Sequence, residues 1–243
     1  MNLKEAIMAR TSRRTYLETP IAEDKLKQIK AMIEQVNEQG DLSMRLILEE
    51  PTAFGRLSKS YGMFKGVRNY ILLIGRNTVD VKERMGYYGE KVVLLATQLG
   101  LGTCWVGGTF DRSIGSKYVG QDEFFSGVIT IGNVEEDKSR KERLISMLTH
   151  RKSKGISELM MVEGEAPEWF LEGIRAVQRA PSAVNAQPVL FTYQKGIVLA
   201  HVTKESFGYE KLDLGIAKLH FEIGAGGGVW ELKDKGAFHR VIP

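Results

Sequence analysis

The chain has 243 residues, 43% hydrophobic and 26% charged, with a formal net charge of +4. That is enough for one large domain or two small ones around a real core, and it excludes a disordered chain. Basic residues are spread along the whole sequence without a recognisable module, so they read as solubility plus one anion site rather than a nucleic-acid footprint. Cys104 is the only cysteine, which excludes an intramolecular disulfide and fits a reducing compartment. The opening MNLKEAIMARTSRR has no apolar stretch of signal-peptide length, and no run approaches the roughly 20 apolar residues of a membrane span. The expectation is a cytoplasmic chain with no membrane and no nucleic-acid partner.

Asn2 to Ala9 reads as a short helix that breaks into Arg10-Thr11-Ser12-Arg13-Arg14-Thr15-Tyr16. Thr19-Pro20 opens a longer helix, in which Leu26, Ile29, Met32, Ile33 and Val36 form one apolar face before Gly40 ends it. Met44 to Leu48 predicts a strand. Asn69 to Gly75 (NYILLIG) predicts a strand buried on both faces, because its apolar run is continuous. Tyr87 to Leu99 is apolar around most of its circumference and predicts a central helix, stopped at Gly100-Leu101-Gly102. Thr103 to Val106 and Gly127 to Ile131 predict strands, and Lys138 to Leu148 a surface helix.

The stretch RKSKGISELMMVEGEAPEW is polar and reads as a connector. Beyond it the rhythm returns: a helix over Glu168 to Arg179, strands over Val189 to Tyr193 and Ile197 to Val202, and a helix over Leu212 to Ile223. That last helix ends in Gly224-Ala225-Gly226, matching Gly100-Leu101-Gly102, and KLKQIKAMIEQ shares its phasing with FLEGIRAVQRA. The organisation expected is a first half over 1–150, a connector over 151–166 and a shorter second half over 167–243. The two halves would be a diverged internal repeat. A helix–strand rhythm shared without duplication is the alternative.

Several stretches could carry chemistry. Arg10, Ser12 and Arg14 offer guanidinium forks and a hydroxyl to a phosphate, or form a solvated basic turn. Gly107-Gly108, after a strand, lets a flat ligand approach the backbone, or is a simple turn. Cys104 has no neighbouring histidine and reads as a buried structural thiol. His150, His201, His220 and His239 show no metal-site spacing. There is no P-loop and no GxSxG elbow, and Gly224 to Gly228 follows a helix instead of opening one. In RAPSAVNAQPVLF, Pro181 and Pro188 push their preceding residues toward extended geometry. The loop between them carries Ser182, Asn185 and Gln187, donors and acceptors suited to a heterocycle's edge. A helix stop with an Asx-type turn would explain the prolines and one polar residue.

Together these residues resemble the nitroreductase family of FMN-dependent oxidoreductases, across most of the chain. Arg10 to Tyr16 is similar to the family's R-x-S-x-R-x-aromatic motif, which holds the FMN phosphate. Pro181 to Pro188 (PSAVNAQP) is similar to its PSxxNxQPW loop, which contacts the flavin ring and ribityl chain. Leu95 to Phe110 is similar to the helix-to-strand segment whose backbone passes flavin N5. Gly132-Asn133 and the basic stretch after it resemble the family's C-terminal region, where Arg151 or Lys152 would close on the phosphate. The resemblance thus implies an α+β fold with a mostly antiparallel central sheet flanked by helices. It also implies an FMN site drawing on Arg10, Thr11, Ser12 and Arg14, on Trp105, Val106, Gly107 and Gly108, and on Pro181, Ser182, Ala183, Asn185 and Gln187. Tyr61 and Lys65 are weaker candidates beside the cofactor or substrate.

The motifs depart from the family's order. PSxxNxQPW usually follows soon after the arginine motif, and a homodimer builds two shared sites. Here the early counterpart, QVNEQGDLSMRLIL, lacks the motif, which occurs only after Ala180. This resembles the single-chain branch of the family, in which one polypeptide mimics a dimer. One composite FMN site per chain, a dead second site and a monomer rather than an obligate dimer are implied. The motif's final aromatic is Val189 here. The implied chemistry is hydride from NADH or NADPH to flavin N5, then to a nitroaromatic, quinone or similar acceptor by a ping-pong route, with no catalytic side chain. The alternative is a flavin-binding protein without nitroreductase activity, serving flavin handling or regulation.

Overall fold

The computed structural model describes residues 1–55, 62–139, 142–144, 147 and 152–241. The fold is α+β, built on two sheets. The chain divides into two compact units. One comprises Ala9–Val81 and Lys91–Thr149, here the N-terminal unit. The other comprises Met1–Met8, Lys82–Glu90 and His150–Pro243, here the C-terminal unit.

In chain order the elements are α1 (Leu3–Ala9), α2 (Glu23–Gly40), β1 (Arg45–Ile47), α3 (Thr52–Gly55), β2 (Asn69–Arg76), α4 (Val81–Gln98), β3 (Gly102–Val106), α5 (Arg112–Ser116) and β4 (Glu123–Gly132). There follow β5 (Met160–Val162), α6 (Glu168–Val177), β6 (Val189–Gln194), β7 (Ile197–Val202), α7 (Glu210–Gly224), β8 (Gly228–Trp230) and β9 (Ala237–Arg240). Short 3-10 turns at Ile156–Glu158 and Ala183–Asn185 lie between them.

The N-terminal unit holds a four-stranded sheet of order β1-β2-β4-β3, antiparallel throughout. As its continuous apolar run predicts, β2 is buried from Asn69 to Gly75. Phe54, Phe64, Phe110 and Phe125 pack with Tyr70 and Val128 in this unit's core. The C-terminal unit holds a five-stranded sheet of order β5-β6-β7-β9-β8. Its pairs are antiparallel except β5–β6. Trp169, Phe170, Phe191, Phe221, Trp230 and Phe238 interlock in ring contacts between α6, α7 and the sheet.

Setting β5 aside, the units share one topology. With the short helices α3 and α5 of the first series also left out, each runs helix–strand–strand–helix–strand–strand, and the strand order β1-β2-β4-β3 is repeated as β6-β7-β9-β8. The second helices of the two series cross within the C-terminal unit. A Cβ on Gly86 of α4 would collide with the Leu212 carbonyl and press on the Ile216 nitrogen of α7. A Cβ on Gly215 of α7 would collide with the Glu83 carbonyl and press on the Tyr87 nitrogen of α4. The contact is reciprocal in register, the pattern of a two-fold interface. Around it Glu83 pairs with Lys218 at 2.6 Å and Glu90 with His220 at 2.9 Å, all four side chains buried. The Tyr87 hydroxyl donates to Glu222 at 2.5 Å.

Some elements differ from the sequence expectation. The long helix α2 starts at Glu23, beyond Pro20. The central helix α4 starts at Val81, not Tyr87, because its first turns bury Glu83 beside Lys218 and a buried charge hides the apolar pattern. The strand expected from Gly127 extends back to Glu123, through an irregularity that breaks its alternation. The stretch read as connector contributes β5, which gains its hydrogen bonds from β6. Of the surface helix expected over Lys138 to Leu148, residues 142–144 and 147 are helical, Lys138 and Ser139 are not, and the rest lie outside the described residues. No helix of the described residues is long and apolar enough to cross a membrane.

Candidate functional site

The arginine motif lies as an extended segment beside β3. Ser12 bridges Thr103 in parallel, and the Arg13 N–H donates to the Thr103 carbonyl at 2.8 Å. On its other side, Lys65 N–H donates to the Arg14 carbonyl and Tyr16 N–H to the Lys65 carbonyl, both at 2.9 Å. Extended backbone sends alternate side chains to opposite sides. Ser12 and Arg14 accordingly turn toward Cys104, with Arg10 near it, while Arg13 turns away. Burial pushes the Cys104 thiol up, against the pull of Arg14, a hydrogen bond with Ser12, and Arg10. As expected, this cysteine is buried.

Arg13 and Glu142 hold the motif in place. The Arg13 Nε lies 3.3 Å from Glu142 Oε1, and its other nitrogens donate to the Glu135 and Asp137 carbonyls at 2.8 and 3.2 Å. Glu142 also accepts from the N–H groups of Arg14 at 2.6 Å, Thr15 at 3.1 Å and Ser139 at 2.9 Å. Burial works to raise the Glu142 pKa. The N–H groups of Arg14, Ser139 and Thr15 and the Arg13 side chain outweigh it and hold the carboxyl at about 2. The segment tied down this way carries Lys138. Burial pulls the Lys138 ammonium below its ordinary range; Glu142 opposes that, while Arg13, Arg14 and Arg10 push it lower still. A cluster of cations therefore shares one neighbourhood.

Beyond Val106, β3 exits into Gly107-Gly108. Val106 is buried, Trp105 and Gly107 are half-buried, and Gly108 is exposed. A Cβ on Gly108 would meet nothing within 4 Å, so its face is open. The Arg112 side chain donates to the Gly107 carbonyl at 2.8 Å.

In the C-terminal unit, the loop 181–188 is strained. Val184, Asn185 and Gln187 have φ of 47°, 51° and 44°. A β-branched residue in this left-handed region is rare, and such strain clusters at functional sites. The loop is braced from inside. Ser182 Oγ accepts from the Gln187 N–H at 2.9 Å, and Asp213 accepts from the Ala183 N–H with both oxygens at 3.1 Å. Gln187 is buried; its Oε1 accepts from Lys154 N–H at 2.8 Å and its Nε2 donates to the Gln178 carbonyl at 3.1 Å. Asn185 Nδ2 donates to Ser153 Oγ at 3.3 Å. Burial pushes the Asp213 carboxyl up to about 8, against the Ala183 N–H and assisted by Glu210.

The structure thus gathers Arg10, Ser12 and Arg14 in the N-terminal unit, with Thr11 exposed beside them. It places Pro181, Ser182, Ala183, Asn185 and Gln187 on one braced loop of the C-terminal unit. Lys152 is exposed in that unit, and Arg151 and Tyr61 lie outside the described residues. Arg13, Glu142, Lys138, Arg112 and Asp213 escaped the sequence reading. Arg13 alone had a signal: in an extended segment it falls out of phase with Arg10, Ser12 and Arg14.

Residues 2–225 match the family model described as "Putative TM nitroreductase". Among solved structures, the chain is similar to a putative nitroreductase of Thermotoga maritima, with 22% identity and a TM-score of 0.66 over 98% of this chain and 92% of that one. Weaker similarity extends to an FMN-dependent nitroreductase of Clostridium difficile, with 17% identity and a TM-score of 0.46 over 62% of this chain and 98% of that one. A nitroreductase family protein of Clostridium novyi shows 16% identity and a TM-score of 0.47 over 59% and 91% of the two chains. No curated protein matches. With the family model spanning nearly its whole length, the chain belongs to the TM-type nitroreductase family, a family of oxidoreductases.

Proposed function

We propose that the chain is an FMN-dependent oxidoreductase that takes reducing equivalents from NADH or NADPH and delivers them to a nitroaromatic, a quinone or a similar acceptor. One observation carries the reading: Arg10, Arg14 and Lys138 lie close enough to repel, beside Ser12, in a chain of the nitroreductase family. A phosphate monoester would relieve that repulsion and accept from the guanidinium forks, the ammonium and the hydroxyl. The donor set therefore fits the FMN phosphate. Glu142 preorganises it by tying down the main chain of Arg14 and Thr15. The exposed Gly107-Gly108 backbone suits a flat ring, and the strained Ser182 to Gln187 loop presents Asn185 on a rigid support. Bound FMN would supply the hydride chemistry, while these residues bind and orient it. No side chain is required as an acid or base.

Each motif occurs once in the chain, so one FMN per chain is the expected stoichiometry. The repeated strand order supports an internal repeat that mimics a dimer within one chain, and a monomer is the state expected of it. Purified protein is expected to show flavin absorbance, to release one FMN per chain on denaturation, and to bleach on mixing with NADH or NADPH. Arg10→Ala and Asn185→Ala should each weaken FMN binding, the arginine by about 10-fold or more, as for a charge-assisted hydrogen bond. A colourless protein that takes up no added FMN overturns the reading. A second reading, flavin binding without nitroreductase turnover, is favoured by Val189 at the motif's aromatic position and by Gln187, whose amide is engaged at both ends. Bound FMN that neither donor bleaches would select it.

A further inference from the structure

We infer that Arg112 is a positioning residue: it locks the Gly107–Gly108 peptide so that the Gly108 N–H is a fixed, outward hydrogen-bond donor to the flavin ring. The inference rests on the proposed FMN site. Arg112 stands at the start of α5, whose N-cap Asp111 accepts from the Ser113 N–H at 3.1 Å and the Ser113 hydroxyl at 2.7 Å. From there the guanidinium Nη1 donates to the Gly107 carbonyl at 2.8 Å and the Ser126 carbonyl at 3.0 Å, and Nη2 to the Phe125 carbonyl at 2.8 Å. It also lies 4.8 Å from the centroid of the Phe125 ring.

A bulge makes this tripod possible. In the β2–β4 register Leu72 faces Val128 and Ile74 faces Phe125, so Ser126 and Gly127 together oppose Leu73. The extra residue turns carbonyls out of the ladder, where one planar fork can collect them. Only glycine fits at 127, because a Cβ there would sit 2.5 Å from the Val106 carbonyl oxygen.

The consequence follows from peptide geometry. The bond is trans, so its C=O and N–H point in opposite directions. Pinning the Gly107 oxygen on Arg112 therefore aims the Gly108 N–H away from Arg112. Among the described residues no acceptor takes that N–H, and Gly108 is exposed. Two successive glycines have little intrinsic preference for one peptide orientation. Arg112 supplies the preference from outside. A fixed N–H favours a ring nitrogen that carries a lone pair over one that carries hydrogen, and so favours oxidised over reduced FMN.

Arg112→Lys keeps one charge but loses the fork, and Arg112→Gln loses both. In flavin-free protein, 15N relaxation should show lower order parameters at Gly107 and Gly108 in both variants. In FMN-loaded protein, FMN titrations combined with midpoint potentials give the affinities for both redox forms. The preference for oxidised over reduced FMN should fall about 5- to 10-fold, the scale of one hydrogen bond, raising the midpoint potential. A merely structural arginine would lower Tm without moving that preference. Unchanged glycine mobility, or loosened glycines with an unchanged redox preference, overturns the inference. A wild-type protein that binds no FMN defeats the functional reading instead, and relaxation alone then decides whether Arg112 holds the peptide.

Discussion

The four-stranded sheet is buried through β2 and most of β4, whereas in the five-stranded sheet burial alternates along β6 and β7. Val189 and Phe191 turn inward toward the aromatic core, while Leu190 and Thr192 do not. Yet, β5 aside, both sheets have the same strand order. Topology is set by which elements follow which, and it tolerates a complete change in what each face meets. The candidate segments differ between the units as well. The segment beside β3 in the N-terminal unit carries the arginines, and the helix-to-strand junction before β6 in the C-terminal unit carries the strained loop. The corresponding junction before β1 has a single left-handed residue of this kind, Asp41, at the helix end. Two copies of one topology need not be copies of one site.

Three tests would break or sharpen this comparison. The largest effect is expected from Lys218→Met, which leaves the buried Glu83 carboxylate without its cation. It should cost about 3–5 kcal/mol in chemical denaturation. Adding Glu83→Gln should recover part of that loss, and hydrogen exchange should rise first in α7.

Next is Glu142→Gln, which acts on the N-terminal unit. The folded pKa of Glu142 is about 2, below its ordinary value, so its contribution is fully present above the unfolded pKa and lost as pH falls toward 2. The substitution should cost about 2–3 kcal/mol at neutral pH and flatten the acid limb of the Tm–pH curve. An unchanged acid limb would show that the arginine segment holds without its carboxylate. The smallest and most diagnostic test is the pair Gly86→Ala and Gly215→Ala. Each should cost about 1–3 kcal/mol by forcing the helices apart, and reciprocity requires the two costs to be similar. A large cost at one and none at the other would end the two-fold description.

Much of this was legible in the sequence. NYILLIG announced a strand buried on both faces, and GLG and GAG announced matching helix ends. RTSRRTY and PSAVNAQP announced the two candidate segments. What escaped depends on partners remote in the chain. β5 has only three residues and exists because β6 pairs with it. Glu142 and Arg13 look like ordinary surface charges until the fold buries them together. Arg112 reads as one basic residue in a turn, because its partners are main-chain carbonyls, which leave no trace in a sequence pattern.

The α4–α7 crossing also writes a rule of self-recognition. Both of its buried acids, Glu83 and Glu90, are on one helix, and both bases, Lys218 and His220, are on the other. In the same reciprocal register, a second copy of α4 would set Glu83 against Gly89, and a second copy of α7 would set Lys218 against Leu212. Either like-with-like pairing strands a charge in a dry interface. Two helices that share a place in the topology carry opposite charges where they cross.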